Sequence, residues 1–112
     1  MTFLINKKEE INKIINSKIK NKKLVFTDYY KFGIMKKDIS HEKVLEIFPH
    51  FEKVFEIEKD KLKYGDIGYE LFYKLSNKTY FSIATCPKDK KLLIIHAIEY
   101  KRSLEKRFKK LK

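Results

Sequence analysis

Short strand-like segments separated by turn residues fill the second half of the chain, and they constrain the fold more than any other feature. In residues 69–75, apolar and aromatic residues at the odd positions alternate with Glu70, Phe72 and Lys74 at the even positions, as in a strand with one buried face. Three further stretches are rich in β-branched and aromatic residues: 54–58, 80–85 and 92–98. Because the connections at 76–78 and 86–89 are short and rich in turn residues, the last three strands should form an antiparallel meander.

The first half of the chain has the residue spacing of helices. From residue 4 to 19, apolar residues recur at helical intervals with lysines between them, which predicts an amphipathic helix. A short apolar run at 24–26 follows, and Thr27 or Asp28 is placed to cap a turn of helix through Ile34. Ser40 is placed as the N-cap of another helix, which Pro49 ends.

The spacing of residues 100–112 predicts a basic helix whose buried stripe contains Tyr100, Leu104, Phe108 and Leu111. Its outward cations predict an RNA-binding surface: Lys101, Lys106, Arg107, Lys109 and Lys110. The whole pattern predicts one α+β domain over residues 1–112. In it, N-terminal helices pack on a twisted antiparallel meander of about four strands, followed by the C-terminal basic helix.

The formal net charge is +12 in 112 residues, and the first 27 and last 12 residues carry most of it. A field of this sign favours RNA, but it also favours acidic proteins and anionic membranes. No apolar run approaches the about 18 residues of a membrane-spanning helix, so we expect a cytoplasmic protein with no membrane partner. Cys86 and the three histidines match no zinc spacing, so we expect no metal and no cofactor.

Residues 61–73, K-L-K-Y-G-D-I-G-Y-E-L-F-Y, resemble the central block of RelE-type toxins, in which K-x-K leads into a G-Y-x-L-x-Y strand. Residues 26–28, 38–48 and 94–97, with the basic segment through Arg107, resemble the BrnT branch of that superfamily. The matching segments occur in the same order over about residues 24–110. The resemblance implies helices packed on one side of an antiparallel sheet and an antitoxin partner. It also implies metal-independent cleavage of RNA, commonly messenger RNA on the ribosome.

Three positions depart from the family pattern. Glu70 stands where RelE carries a phosphate-binding arginine, Ile98 stands at a BrnT-type arginine, and Tyr29 corresponds to the histidine of some relatives. Two alternatives to a ribonuclease toxin therefore stay open. One is a catalytically inactive relative that binds RNA or a protein, and the other is an inhibitor of a protein target such as gyrase, as in the ParE branch.

Three basic residues are candidates for holding the phosphate in metal-free RNA cleavage, which needs a base, an acid and a stabilising cation. Lys61 and Lys63 lie two apart on an extended segment and project to the same side, so both can face one phosphate. Arg102 can clamp the same phosphate through two hydrogen bonds. The alternative is that all three are ordinary solvent-exposed cations.

His96 titrates near neutrality and is the candidate acid or base, unless it packs at a core edge on the strand face of Ile94. Tyr69 and Tyr73 share one strand face and can stack RNA bases, or they can pack under a helix. Glu70, on the opposite face, is a candidate general base if it is desolvated and otherwise a partner in a cross-strand ion pair.

Overall fold

The computed structural model describes residues 2–104, and this part of the chain contains one six-stranded sheet and three α-helices. The strands are β1 Thr2–Ile5, β2 Lys23–Phe26, β3 Val54–Lys61, β4 Ile67–Lys74, β5 Tyr80–Lys88 and β6 Lys91–Tyr100. The helices are α1 Lys8–Ile14, α2 Asp28–Lys36 and α3 His41–Ile47, with a π-helical turn Ile15–Ile19 and a 3-10 turn Phe51–Lys53. The strand order is β1-β3-β4-β5-β6-β2.

This architecture corrects the predicted fold class. The four strands predicted in the second half are present as β3 to β6 and pair antiparallel in sequence order. However, the sheet is mixed and has six strands rather than about four, because β1 adds antiparallel to β3 and β2 adds parallel to β6. β1 and β2 run in the same direction on opposite edges of the sheet, so the chain must cross the sheet between them. α1 and the π-helical turn make this crossing and lead into β2.

Both ends of the chain differ from the predicted helices. The helix predicted from residue 4 begins only at Lys8, because Leu4 and Ile5 pair with Glu58 and Ile57 as an edge strand. At the other end, Tyr100 closes β6 instead of opening a helix, and residues 101–104 are not helical. The rest of the predicted C-terminal basic helix, residues 105–112, lies outside the described residues.

The helices pack on one face of the sheet and form the main core. Inward-facing strand residues contribute Ile57, Tyr69, Leu71, Tyr73, Phe81, Ile83, Leu92, Ile94 and Ala97. From α1 and the π-helical turn, Ile11, Ile15 and Ile19 pack in the same cluster and are at most 3% exposed. None of the helices among residues 2–104 is long and apolar enough to cross a membrane.

Both predicted helix caps are confirmed. The Thr27 hydroxyl accepts a hydrogen bond from Tyr30 N at 3.0 Å, and the Ser40 hydroxyl accepts one from Lys43 N at 3.3 Å. Thr27 also donates its hydroxyl proton to the Ile94 carbonyl at 3.1 Å, which ties the start of α2 to β6.

The opposite face of the sheet is more polar, and a β-bulge decides which side chains it carries. Ala84 pairs with His96 but Thr85 pairs with Ile94, so Ile95 is an extra residue in β6. The bulge places His96 on the polar face, opposite to Ile94 in the core. The predicted shared face of His96 and Ile94 is therefore wrong.

Candidate functional site

One end of the sheet collects lysines from three separate segments of the chain. β3 ends there at Lys61, β5 turns into β6 there with Lys88 paired to Lys91, and β2 begins there with Lys23 beside Lys91. We call this region the lysine-rich end, and its lysines are Lys20, Lys22, Lys23, Lys61, Lys63, Lys88, Lys90 and Lys91. Seven of these eight side chains are exposed, and Lys22 is half-buried.

Three aspartates lie at the same end and leave it with a net formal charge of +5: Asp60, Asp66 and Asp89. Lys88 Nζ pairs with Asp66 Oδ2 at 2.6 Å, and this hydrogen bond raises the pKa of Lys88. Lys22 Nζ donates to the carbonyl oxygen of Asp89, which joins the start of β2 to the β5–β6 turn. These contacts hold the separate lysine-bearing segments together.

Tyr64 stands in the loop between β3 and β4 and is 86% exposed. The ammonium of Lys63 lies 5.7 Å from the centre of its ring, which is a cation–π distance. Gly65 follows with φ +86°, a backbone conformation that favours glycine and turns the loop back towards β4. An exposed aromatic ring among lysines can stack a base. The sequence signal for this ring is an aromatic residue between a lysine and a glycine, and Tyr64 was not among the predicted site residues.

Tyr69 and Tyr73 are not base-stacking residues, which corrects that prediction. They face the helices and are 6% and 0% exposed, because α1 and the segment before β3 cover this side of the sheet. Tyr73 Oη donates to the Phe48 carbonyl at 2.8 Å. Burial raises the pKa of both phenols, and that of Tyr73 lies well above its usual value.

Lys61, Lys63 and Arg102 do not meet at one phosphate, which corrects the predicted site. Lys61 closes β3 opposite Ile67, whereas Arg102 follows Tyr100 at the other end of β6. The eight residues of β4 separate these ends by about 23 Å. Lys101 is exposed beside Arg102. The other predicted RNA-binding cations lie outside the described residues: Lys106, Arg107, Lys109 and Lys110.

A cleft of about 300 Å³ lies on the polar face next to the lysine-rich end. Glu70 on β4 and His96 on β6 flank Ala84 of β5. Because Ala84 carries only a methyl group, the two longer side chains reach across it, and Glu70 Oε1 lies 4.0 Å from His96 Nε2. Glu58 and Asp60 line the β3 side of the cleft.

Leu62 lines the end of the cleft nearest the lysines. A Cβ placed on Gly68 would lie 3.1 Å from both δ-carbons of Leu62, so the glycine leaves the space that this side chain occupies over β4. Leu62 stands between Lys61 and Lys63 in the sequence. The cleft and the lysine-rich end therefore share one loop.

His96 is placed for proton transfer through one of its two nitrogens. Its Nδ1 is buried and has no hydrogen-bond partner within residues 2–104, so Nε2 is the atom directed towards Glu70. Burial lowers the pKa of His96, and the positive charge of Lys37 lowers it further. Lys37 Nζ donates to the Ala97 carbonyl at 3.2 Å, which holds that charge near the imidazole. A carboxylate and an imidazole in one cleft can act as base and acid.

Residues 2–104 contain neither a cluster of metal ligands nor an exposed, reactive thiol. Within residues 2–104, no group of three or more His, Cys, Asp or Glu side chains is arranged to hold a metal ion. Cys86 is 2% exposed, and burial raises the pKa of its thiol. A thiol that is buried and protonated is a poor nucleophile.

The sequence matches no protein-family model, and comparisons with curated proteins and with solved structures find no similar protein. The resemblance to RelE-like toxins therefore stays a prediction.

Proposed function

We propose that this protein binds single-stranded RNA across the lysine-rich end of its sheet. The observation that carries the proposal is that eight lysines from three segments lie along one end of the sheet, together with the exposed ring of Tyr64 beside Lys63. Lysines hold backbone phosphates whatever the sequence, and stacking on an aromatic ring selects unpaired bases. In this proposal the protein is a RelE-like toxin in the cytoplasm, its target is messenger RNA, commonly on the ribosome, and its partner is an antitoxin protein.

The dimensions of the lysine-rich end suit a single strand. From β3 to β2 the lysines span four strand spacings, or about 19 Å, because neighbouring strands lie about 4.8 Å apart. This length accommodates several phosphates of an extended strand. A flat patch of charge without an exposed ring would serve an acidic protein equally well, and Tyr64 is what favours RNA.

Salt dependence of RNA affinity tests the proposal. One variant replaces three exposed lysines of the lysine-rich end with alanine: Lys61, Lys63 and Lys90. The matched control replaces three exposed lysines elsewhere with alanine: Lys31, Lys36 and Lys78. Each phosphate contact with a single strand contributes about −0.7 to the slope of log affinity against log salt, so the first variant should lose about 2 from the slope.

The two variants carry the same net charge, which separates a local site from a general field. The control should keep nearly the wild-type slope. Equal losses in both variants, or no RNA binding by the wild-type protein, would overturn the proposal.

The Glu70–His96 pair favours a second candidate function, metal-independent cleavage of the bound RNA. In this reaction the Glu70 carboxylate takes the proton of a 2′-hydroxyl, and the resulting oxygen attacks the adjacent phosphorus. Protonated His96 gives its Nε2 proton to the departing 5′-oxygen. The products are a 2′,3′-cyclic phosphate and a 5′-hydroxyl. Lys61 and Lys63 do not line the cleft but flank Leu62, which does, and their positive field favours a phosphate near this end of the cleft.

Cleavage by this pair should be fastest in acid. The reaction needs protonated His96, and because the pKa of His96 is lowered by burial, that form is populated only below about pH 6.5. Glu70→Gln and His96→Gln should each abolish turnover while RNA affinity remains. Glu46→Gln and His50→Gln, which change exposed residues outside the cleft, should leave turnover intact.

The assay follows 2′,3′-cyclic phosphate on naked RNA and on translating ribosomes over a range of pH. Undiminished cleavage in either cleft variant, or a rate that rises steadily above neutrality, would exclude this mechanism.

A further inference from the structure

A groove of about 990 Å³ runs along α1 on the helical side of the molecule. Its apolar lining comes from the core-facing side of α1 and the π-helical turn, from β2 and from the segment before β3: Ile11, Ile15, Ile19, Leu24, Phe48 and Phe51. Four of the five asparagines in the chain also line this groove: Asn6, Asn12, Asn16 and Asn21. Since the chain contains no glutamine, one groove holds four of its five side-chain amides.

The polar residues of the groove form a row along the helix. Lys8, Asn12 and Asn16 follow one another at intervals of four residues through α1 and the π-helical turn, Lys20 comes directly after the turn at the same interval, and all four are exposed. Residues at this interval lie on one helical face. Within residues 2–104, no hydrogen bond uses the side-chain amides of these asparagines, so their donors and acceptors are available to a ligand.

The chemistry of the groove matches an unpaired nucleotide. An amide presents a donor and an acceptor side by side, and this pair is complementary to the edge of a base, adenine above all. The charged residues of its lining are three lysines and one glutamate: Lys8, Lys20, Lys22 and Glu52. Lys20 Nζ lies 5.7 Å from the ring centre of Phe51, which brings a cation to the aromatic part of the groove.

The groove is continuous with the lysine-rich end. Lys22 lines the groove, and its Nζ also donates to the Asp89 carbonyl at the lysine-rich end. Lys20, two residues earlier, lines the same groove. We propose that the groove recognises unpaired bases of the RNA strand held by the lysine-rich end, with Asn12 and Asn16 making the base contacts. The inference rests on the proposed RNA binding and adds base preference to it. The excess of lysine over glutamate favours an RNA strand over a neutral peptide as the occupant.

The side-chain amide resonances of a 15N-labelled protein test this inference directly. Five asparagines and no glutamine give five side-chain NH2 pairs, and Asn77, in the β4–β5 turn outside the groove, is an internal reference. The probe is an oligoadenylate of about eight nucleotides, within the range of single-strand site sizes. We expect the NH2 pairs of Asn12 and Asn16 to shift during the titration and that of Asn77 to stay in place.

A pair of variants separates base preference from affinity. Replacing both Asn12 and Asn16 with alanine should reduce the preference for oligoadenylate over oligouridylate about tenfold, which is the scale of one lost bidentate base contact. It should leave the salt slope unchanged. The triple alanine variant of Lys61, Lys63 and Lys90 should weaken binding of both oligonucleotides and keep the preference.

The outcomes distinguish this inference from the proposal beneath it. RNA binding with no shift of the groove amides, or with an unchanged preference in the asparagine variant, overturns the groove assignment and leaves RNA binding at the lysine-rich end in place. Absence of any RNA binding by the wild-type protein removes both. Shifts caused by an oligoglutamate peptide of similar length, but not by RNA, would assign the groove to an acidic peptide and overturn the inference.

Discussion

Two glycine-to-alanine substitutions should change the stability of this protein in opposite directions. A Cβ at Gly68 would lie 3.1 Å from both δ-carbons of Leu62 and 3.2 Å from its Cγ, which is tighter than ordinary van der Waals contact. Leu62 is half-buried over β4, so this crowding should cost about 2 kcal/mol, and the entropy that alanine removes from the unfolded chain returns about 0.8 kcal/mol, which leaves a net loss of about 1 kcal/mol. In α2, a Cβ at Gly33 would meet only Lys37 Nζ, at 3.8 Å. There alanine should stabilise the helix by about 0.8 kcal/mol.

Thermal unfolding measures both effects. For a domain of this size 1 kcal/mol moves Tm by about 4 °C, so Gly68→Ala should lower Tm by about 4 °C and Gly33→Ala should raise it by about 3 °C. A double-mutant cycle adds Leu62→Ala, which removes the crowded side chain and should recover part of the loss caused by Gly68→Ala. If Gly68→Ala proves neutral or stabilising, Leu62 does not pack over β4 and does not border the cleft.

Two further predictions concern buried reactive groups. Burial, and then the charge of Lys37, lowers the pKa of His96 in the folded protein, so the unfolded chain binds the proton more tightly. The contribution of neutral His96 to the free energy of unfolding should therefore be complete above about pH 6.5 and should be lost as the pH falls from that value through the lowered pKa of the folded state. In urea unfolding experiments, His96→Gln should remove this pH-dependent contribution. Coincident pH profiles for the two proteins would show that the imidazole is not desolvated. Cys86 is 2% exposed and its pKa is raised by burial, so an aromatic disulfide reagent should label the native thiol only as fast as the protein opens, and rapid labelling would contradict its burial.

The central strands were predictable and the edge strands were not. β3 to β6 each combine β-branched or aromatic residues with short turns, and these signals are local. β1 and β2 have only four residues each, and Leu4 fits the helical spacing of Ile11 and Ile15 as well as it fits a strand. Their state depends on partners far away in the sequence, Glu58 for Leu4 and Leu92 for Leu24, and no local pattern shows those pairings.

The candidate site was also hard to predict, because it depends on the register between neighbouring strands. An unbroken apolar run gives no sign of the extra residue Ile95, and that single residue moves His96 from the core face to the face of Glu70. The sequence identified Lys61 and Lys63 as phosphate-binding candidates. Their neighbours at the lysine-rich end come from the β5–β6 turn and from β2, whose parallel placement could not be predicted locally.

The row Lys8, Asn12, Asn16 and Lys20 was visible in the sequence as a four-residue repeat. It carries no information about a groove until the segment before β3 is known to pack beside α1. Burial of Tyr69 and Tyr73 was likewise a question of which sheet face the helices cover, which alternation alone leaves open.

The RNA affinity of three aromatic variants tests most directly whether RNA crosses the lysine-rich end: Tyr64→Ala, Tyr64→Phe and Phe32→Ala. Tyr64 and Phe32 are 86% and 67% exposed, so neither alanine substitution removes core packing. Stacking of one base on an aromatic ring is worth about 1–3 kcal/mol, so Tyr64→Ala should weaken binding of a single-stranded RNA by about 5- to 150-fold. Tyr64→Phe and Phe32→Ala should bind as the wild type does. Wild-type affinity in Tyr64→Ala, or a larger loss in Phe32→Ala, would contradict binding at this end of the sheet.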